Sequence, residues 1–268
     1  MALKDVTLGQ YFPGDSFVHR LDPRTKLVMV FLYIIALFLA NGFVGYAVMI
    51  AVTAGFIAMS KVPPKSMFRG LKSVVLIIVL TAILNVFYTD GTVLVQVWKL
   101  KITYEGLIRA VFMVLRIVML ICGTFLLTYT TTPVALTDGM ELLLNPLKKL
   151  KVPVHEMSMM MSMALRFIPT LIEETDKIMS AQKARGADFE TGSLMDRARA
   201  LLPILVPLFV SAFRRADELA IAMESRCYNG GAGRTRMKQL KFKGGDYAAL
   251  TFGLLLIGGM IGLQVMGL

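Results

Sequence analysis

The stretch HEMSMMMSMALRFIPTLIEETDKIMSAQKARG, His155–Gly186, changes character along its length. Met157, Met159, Met160, Met161, Met163, Leu165, Phe167 and Ile168 make its first half apolar on nearly every side, whereas Glu173, Glu174, Asp176, Lys177 and Lys183 wet the second. A helix with that gradient begins buried at a membrane and ends in water, with Pro169 placed to kink it. It closes on Ala184-Arg185-Gly186. The pattern then returns. Ser193 and Asp196 read as a capping box with Asp in place of the usual Glu or Gln, Leu201–Phe213 is apolar around Pro203 and Pro207, and Arg214, Arg215, Asp217 and Glu218 turn the segment polar. It closes on Ser225-Arg226-Cys227, ahead of Asn229-Gly230-Gly231. Two helical levers, each tipped by an arginine, are therefore expected.

The remainder of the chain must hold those levers. With 56% hydrophobic residues among 268, and a mean hydropathy of +0.66, it reads as a polytopic membrane protein. Its net charge of +11 would suggest nucleic acid in a soluble protein. In a membrane protein the excess follows from basic residues collecting on the cytoplasmic side, so no nucleic-acid partner is expected. Cys122 and Cys227 form neither a CxxC pair nor a disulfide framework. Met1–Pro13 lacks the pattern of a cleavable signal peptide, leaving targeting to the first span.

Leu21-Asp22-Pro23-Arg24-Thr25-Lys26 precedes an unbroken apolar run and reads as a helix start, with Asp22 as N-cap and Pro23 in the first helical position. No charge occurs from Leu27 to Ser60, and Asn41-Gly42 is a turn signal near the middle. Because ~20 residues cross a bilayer, two short crossings are expected, Leu27–Ala40 and Phe43–Met59. Arg20, Arg24 and Lys26 before them, and Lys61, Lys65, Arg69 and Lys72 after, place both flanks on the cytoplasmic side. Val74–Tyr88 is the expected third span, beginning near Leu71. Thr92–Tyr104 alternates loosely and carries Trp98, which suits an outside loop with a short interfacial helix or strand. Glu105–Tyr129 is the fourth span. Its Arg109 and Arg116 share one face and are expected to turn towards a helix bundle, Arg109 pairing with Glu105 and Arg116 bonding to neighbouring helices, with a transport path as the alternative.

Thr132-Pro133 starts a further helix, with Thr132 as N-cap, which ends near Lys148-Lys149-Leu150-Lys151. Seventeen of the 29 basic residues lie between Lys148 and Lys243, which makes this region cytoplasmic. Tyr247–Met266 is a fifth span, whose Gly258, Gly259 and Gly262 would permit close helix packing. The fold class is thus all-α, a polytopic membrane protein with about five transmembrane helices plus long cytoplasmic coupling helices. Residues 1–130 form a membrane region of four spans, 131–243 the coupling-helix region and 244–268 a C-terminal transmembrane helix ending outside.

A cation in the last turn of a helix is favoured by the helix dipole by a few tenths of a kcal/mol, so either arginine tripeptide alone says little. Two of them, forty-one residues apart and closing parallel patterns, are more specific. Together with the Leu21–Lys26 motif and the last span, they make the whole chain resemble the transmembrane (T) subunit of energy-coupling factor transporters, the vitamin-uptake branch of ATP-binding-cassette importers. The resemblance implies that Ala184, Arg185, Gly186, Ser225, Arg226 and Cys227 meet two ATPase subunits, A and A′, with the arginines in grooves of those partners. It implies equally that the apolar bodies of the levers, among them Met157, Met160, Met161, Leu205 and Phe209, cradle a substrate-binding S subunit in the lipid bilayer. Ser225-Arg226-Cys227 departs from Ala-Arg-Gly at both flanks. No cofactor is expected on this chain, ATP residing on the partner subunits.

Catalytic motifs are incomplete. Gly230-Gly231-Ala232-Gly233-Arg234-Thr235 mimics only the tail of a Walker A loop, with Tyr228 where the first glycine belongs. His155-Glu156 opens like a zinc-protease motif, but Met159 takes the place of the second histidine. Neither an enzyme nor a metal site is expected. A self-sufficient secondary transporter, which would call for repeated halves and ionisable groups at mid-membrane, is the alternative function. A membrane enzyme would need a polar cluster that the sequence does not show.

Overall fold

The computed structural model describes residues 11–89, 91–97, 100–189, 193–231 and 239–267. Trp98, Gly192 and the Ala232–Thr235 part of the Walker-like loop lie outside them. The described chain is helical: α1 Phe17–Arg20, α2 Pro23–Leu39, α3 Gly42–Ser60, α4 Pro64–Lys72, α5 Val75–Tyr88, α6 Tyr104–Thr130, α7 Pro133–Leu144, α8 Val154–Ala184, α9 Leu194–Glu224 and α10 Gly244–Val265. An antiparallel hairpin, β1 Val93–Val97 and β2 Leu100–Thr103, joins α5 to α6, where a short interfacial element was expected. Two compact units emerge, one of Gly9–Leu142 with Leu240–Leu268 and one containing Leu143–Gln239.

In the first unit, α2 starts as its sequence dictates. The Asp22 side chain accepts the Arg24 N–H at 2.9 Å, and Pro23, which has no N–H to satisfy, sits at the first helical position. Thr132 caps α7 through the Ala135 N–H at 3.3 Å. α3, α6 and α10 are long and apolar enough to cross a membrane, and α4 with α5 forms a fourth candidate bent by 64°. The chain is a multi-pass membrane protein. Against the expected five spans, three or four are thus found among the described residues by length and apolarity. α2, with 17 residues, lies at the short end of the ~17–25 that span. α5 has 14 residues, roughly 21 Å of helix, and does not cross ~30 Å of hydrocarbon without α4.

Tyr33 is the hub of this unit's core. It packs with Ala36, Leu37, Tyr46, Met49, Met119 and Met260, shares a 2.7 Å hydrogen bond with Thr53 and donates to the Met119 carbonyl at 3.2 Å. Gly123 lets α6 approach it, since a Cβ there would stand 2.6 Å from the Tyr33 ring. The glycines expected to pack α10 closely do not: Gly258, Gly259 and Gly262 face open space. Gly253 does so instead, where a Cβ would sit 2.8 Å from the Met29 sulfur of α2.

In the second unit, α8 and α9 are continuous helices of 31 residues each, roughly 46 Å long, with Pro169 inside α8 and Pro203 and Pro207 inside α9. Ser193 and Asp196 form the expected capping box, each side chain accepting the other's backbone N–H at 3.3 Å. An ion pair of 2.8 Å joins Glu174 on α8 to Arg215 on α9.

Candidate functional site

The two arginine tripeptides share one backbone geometry. At the end of α8, the Arg185 N–H bonds to Ala181 and Gln182, the Gly186 N–H to Lys183 at 3.0 Å and the Ala187 N–H to Gln182 at 3.0 Å, with Gly186 at φ +87°. That is a Schellman closure, in which a left-handed residue reverses the chain and satisfies the last carbonyls. At the end of α9, the Cys227 N–H bonds to Glu224 at 2.8 Å and the Tyr228 N–H to Met223 at 3.0 Å, with Cys227 at φ 55°. The two closing bonds repeat at the same positions. A small residue, Ala184 as the last of α8 or Ser225 just past α9, precedes an arginine, and Gly186 or Cys227 takes the left-handed turn.

The two outer positions differ in what they need. Gly186 has nothing within 4 Å of where a Cβ would stand, so only its backbone conformation calls for glycine. Cys227 adopts the same conformation with a Cβ present, at a cost of roughly 1–2 kcal/mol. Ser225 offsets part of the polar demand there by donating its hydroxyl to the Ile221 carbonyl. All six residues are exposed.

Glu174 precedes Arg185 by eleven residues, and Arg215 precedes Arg226 by eleven. The ion pair therefore ties the levers at equal distances, roughly 16 Å of helix, from their tips. The sequence reading named Glu174 and Arg215 only as polar residues. Their equal offset from the arginines was the signal for a pairing.

The bodies of the levers are apolar and uncovered. Met157, Met160 and Met161 are 54%, 59% and 50% exposed, and Leu205 and Phe209 are 45% and 63% exposed. On α9, Leu202, Val206, Phe209 and Phe213 continue the exposed face at helical spacing. Val154, Ser158 and Ile204 are the buried residues of α8 and α9 among those described.

The Leu21–Lys26 motif, in the other unit, is a junction. Asp246, 1% exposed, accepts the Asp22 N–H at 2.8 Å and the Lys243 N–H at 2.7 Å. Arg24 forks onto the Asp22 carboxylate with two 3.0 Å bonds, donates to the Leu240 carbonyl and covers the Phe242 ring at 4.0 Å. Burial raises the Asp22 carboxyl pKa, but the Arg24 side chain and backbone N–H outweigh it and hold the group below its ordinary value. The Lys26 ammonium donates to the His19 and Thr130 carbonyls, at 3.2 and 2.8 Å. Asp246 was absent from the sequence reading, which saw only basic residues before the last span.

Further along α6, Glu105 accepts the Thr92 N–H at 2.7 Å and its hydroxyl, rather than making the expected ion pair with Arg109. The hairpin carries Thr92 to the start of α6, where its donors reach the carboxylate. Arg116 meets its expectation, donating to the Ala40 carbonyl at 3.3 Å.

These features define a multi-pass helical membrane protein bearing two arginine-tipped, Schellman-closed helices. A profile of the CbiQ family, described as cobalt transport protein, matches residues 14–238. The chain is 55% identical over 260 residues to a protein of Thermosediminibacter oceani named energy-coupling factor transporter transmembrane protein EcfT, covering 97% of this chain and 98% of that one. Proteins of the same name from Clostridium kluyveri, 55% identical over 95% of each chain, and Bacillus subtilis, 51% identical over 92% of this chain and 94% of that one, are similar throughout. The chain belongs to this family of energy-coupling factor transporter transmembrane proteins.

Proposed function

We propose that this chain is the non-catalytic coupling subunit of an ATP-driven importer for a vitamin or similar micronutrient. Arg185 and Arg226 each enter a groove on one of two ABC ATPase subunits, where a guanidinium forks onto carboxylate or carbonyl oxygens. ATP binds and is hydrolysed on those partners. Closure of the ATPase pair displaces the helix ends, and α8 and α9 carry the displacement along their length to a substrate-binding S subunit seated on their apolar faces. The N-terminus and the coupling helices lie in the cytoplasm, on the strength of their basic residues, and the C-terminus lies outside. The same three regions read from the sequence, 1–130, 131–243 and 244–268, are proposed as its functional divisions.

One observation carries this reading, the shared Schellman closure of two helices, each with an exposed arginine directly before the left-handed residue. The uncovered methionine and leucine-phenylalanine faces support the S-subunit seat, since flexible thioethers repack against several partners. Co-expression with candidate ATPase and S subunits, followed by detergent purification, tests it. A stoichiometric complex is expected. Substrate uptake by this chain alone in liposomes, with no ATPase bound, would favour a self-sufficient secondary transporter instead.

A further inference from the structure

At the end of α2 and the start of α3, the membrane unit holds a cavity of about 260 Å³ whose lining includes Asn41, Tyr46, Asn85, Arg109, Phe112 and Arg116. Arg109 and Arg116 lie two helical turns apart on one face of α6, about 10 Å along its axis. Among the described residues neither arginine forms an ion pair. The nearest carboxylate on their own helix, Glu105, is engaged by Thr92. Arg116 donates one Nη2 bond to the Ala40 carbonyl, while its Nε–H is buried without a hydrogen-bond partner. Two cations without an ion pair among the described residues therefore border one cavity, and one of them, Arg116, keeps an unmet Nε–H.

The surroundings narrow what could fill it. The Tyr46 and Phe112 rings stack at 4.6 Å, and the Arg116 guanidinium lies 5.6 and 5.7 Å from the Phe38 and Tyr46 rings, so it is held in place from the apolar side. Asn41 and Asn85 add polar amide groups. The cavity sits at the opposite end of α2 from the Asp22–Asp246 junction, roughly 25 Å away along the helix. That distance approaches the thickness of the hydrocarbon core, which puts the cavity at the depth of lipid headgroups. A positive pair at such a depth needs an anion with several oxygens, because a buried donor left unmet costs free energy and guanidinium matches phosphate bidentately.

We infer that the Arg109–Arg116 cavity binds a phosphate group, carried by an anionic phospholipid headgroup or present as free phosphate. Arg116 supplies its Nε–H and Arg109 closes over the exposed side. The site stabilises the α2–α3 turn against α6.

Native mass spectrometry of the full chain, purified in a neutral detergent and titrated with phosphatidylglycerol, phosphatidylcholine or inorganic phosphate, tests this. The wild-type chain should retain one phosphatidylglycerol with about tenfold higher apparent affinity than Arg109→Gln/Arg116→Gln. Arg109→Gln alone, which leaves the Arg116–Ala40 bond intact, should show a smaller loss with an unchanged melting temperature, and it decides the matter if the double variant does not fold. Displacement of phosphatidylglycerol by millimolar inorganic phosphate would assign free phosphate as the natural source, and persistence of the lipid would assign the headgroup. Equal retention of all three probes by wild type and Arg109→Gln would overturn the inference.

Discussion

In the membrane unit, charged groups at the helix starts turn inward and bind one another, whereas along α8 and α9 charged and apolar groups alike face outward. Asp22, Arg24 and Asp246 close a junction whose two carboxylates are buried. Lys26 is capped by two carbonyls, and Tyr33 bonds to two neighbouring helices. The levers show the converse. Beyond Val154, Ser158 and Ile204 their described residues remain at least partly exposed, and one ion pair holds the two helices at matched distances from their tips. The first unit ties the charges at its helix starts to one another, and the second leaves the apolar faces of its two long helices uncovered.

That contrast can be broken from either side, and the largest effect should come from the levers. Arg185→Glu or Arg226→Glu should remove most ATP-dependent uptake, since truncating a buried arginine anchor typically costs ~2 kcal/mol or more and charge reversal adds repulsion. Membrane insertion, followed by blotting, should be unchanged. Wild-type uptake in both variants would remove the functional half of the comparison.

A change of similar size, in stability rather than transport, is expected in the other unit. Asp246→Ala strands the buried Asp22 N–H and the part-buried Lys243 N–H and should cost about 2 kcal/mol, read as a fall in melting temperature in detergent. Asp246→Asn, which keeps an acceptor, should lose less. The pH dependence has a defined sign. Because the Asp22 carboxyl is held below its ordinary value, its contribution is present above that value and is lost as pH falls through the lowered one. Asp22→Asn should therefore flatten the acid limb of the stability profile.

Smaller effects sharpen the comparison within the tips. Gly186→Ala should destabilise the end of α8 by about 1 kcal/mol, while Cys227→Gly should stabilise the end of α9 by up to about 1 kcal/mol. Hydrogen exchange at Ala187 and Tyr228 would report both. Smallest in stability is Glu174→Gln, within about 1 kcal/mol because the pair is partly solvated. Polar substitution at Met160 and Met161 should weaken S-subunit retention more than ATPase retention in a pull-down, and the reverse order would count against the apolar seat.

How much of this was legible in the sequence follows from how local each signal is. Asp22-Pro23, Thr132-Pro133 and Ser193-Asp196 are caps, set within a turn of chain, and all three formed as read. The lever gradient was equally plain, being a matter of composition along one helix. Asp246 was missed because its partner, Asp22, lies 224 residues away. The left-handed turn at Cys227 was missed because cysteine does not announce positive φ as glycine does at Gly186. The role expected of Gly258, Gly259 and Gly262 fell to Gly253, since the composition of α10 alone does not tell which face meets α2.

Co-purification gives the most direct test of the central claim, that two like-closed helix ends are the sockets' counterparts. The chain carrying Arg185→Glu and Arg226→Glu together should be expressed with its ATPase and S subunits, and the ATPase-to-chain ratio measured by quantitative mass spectrometry. We predict that the ratio falls below a tenth of the wild-type value while S-subunit content is retained. An unchanged ATPase ratio in the double variant would contradict the account.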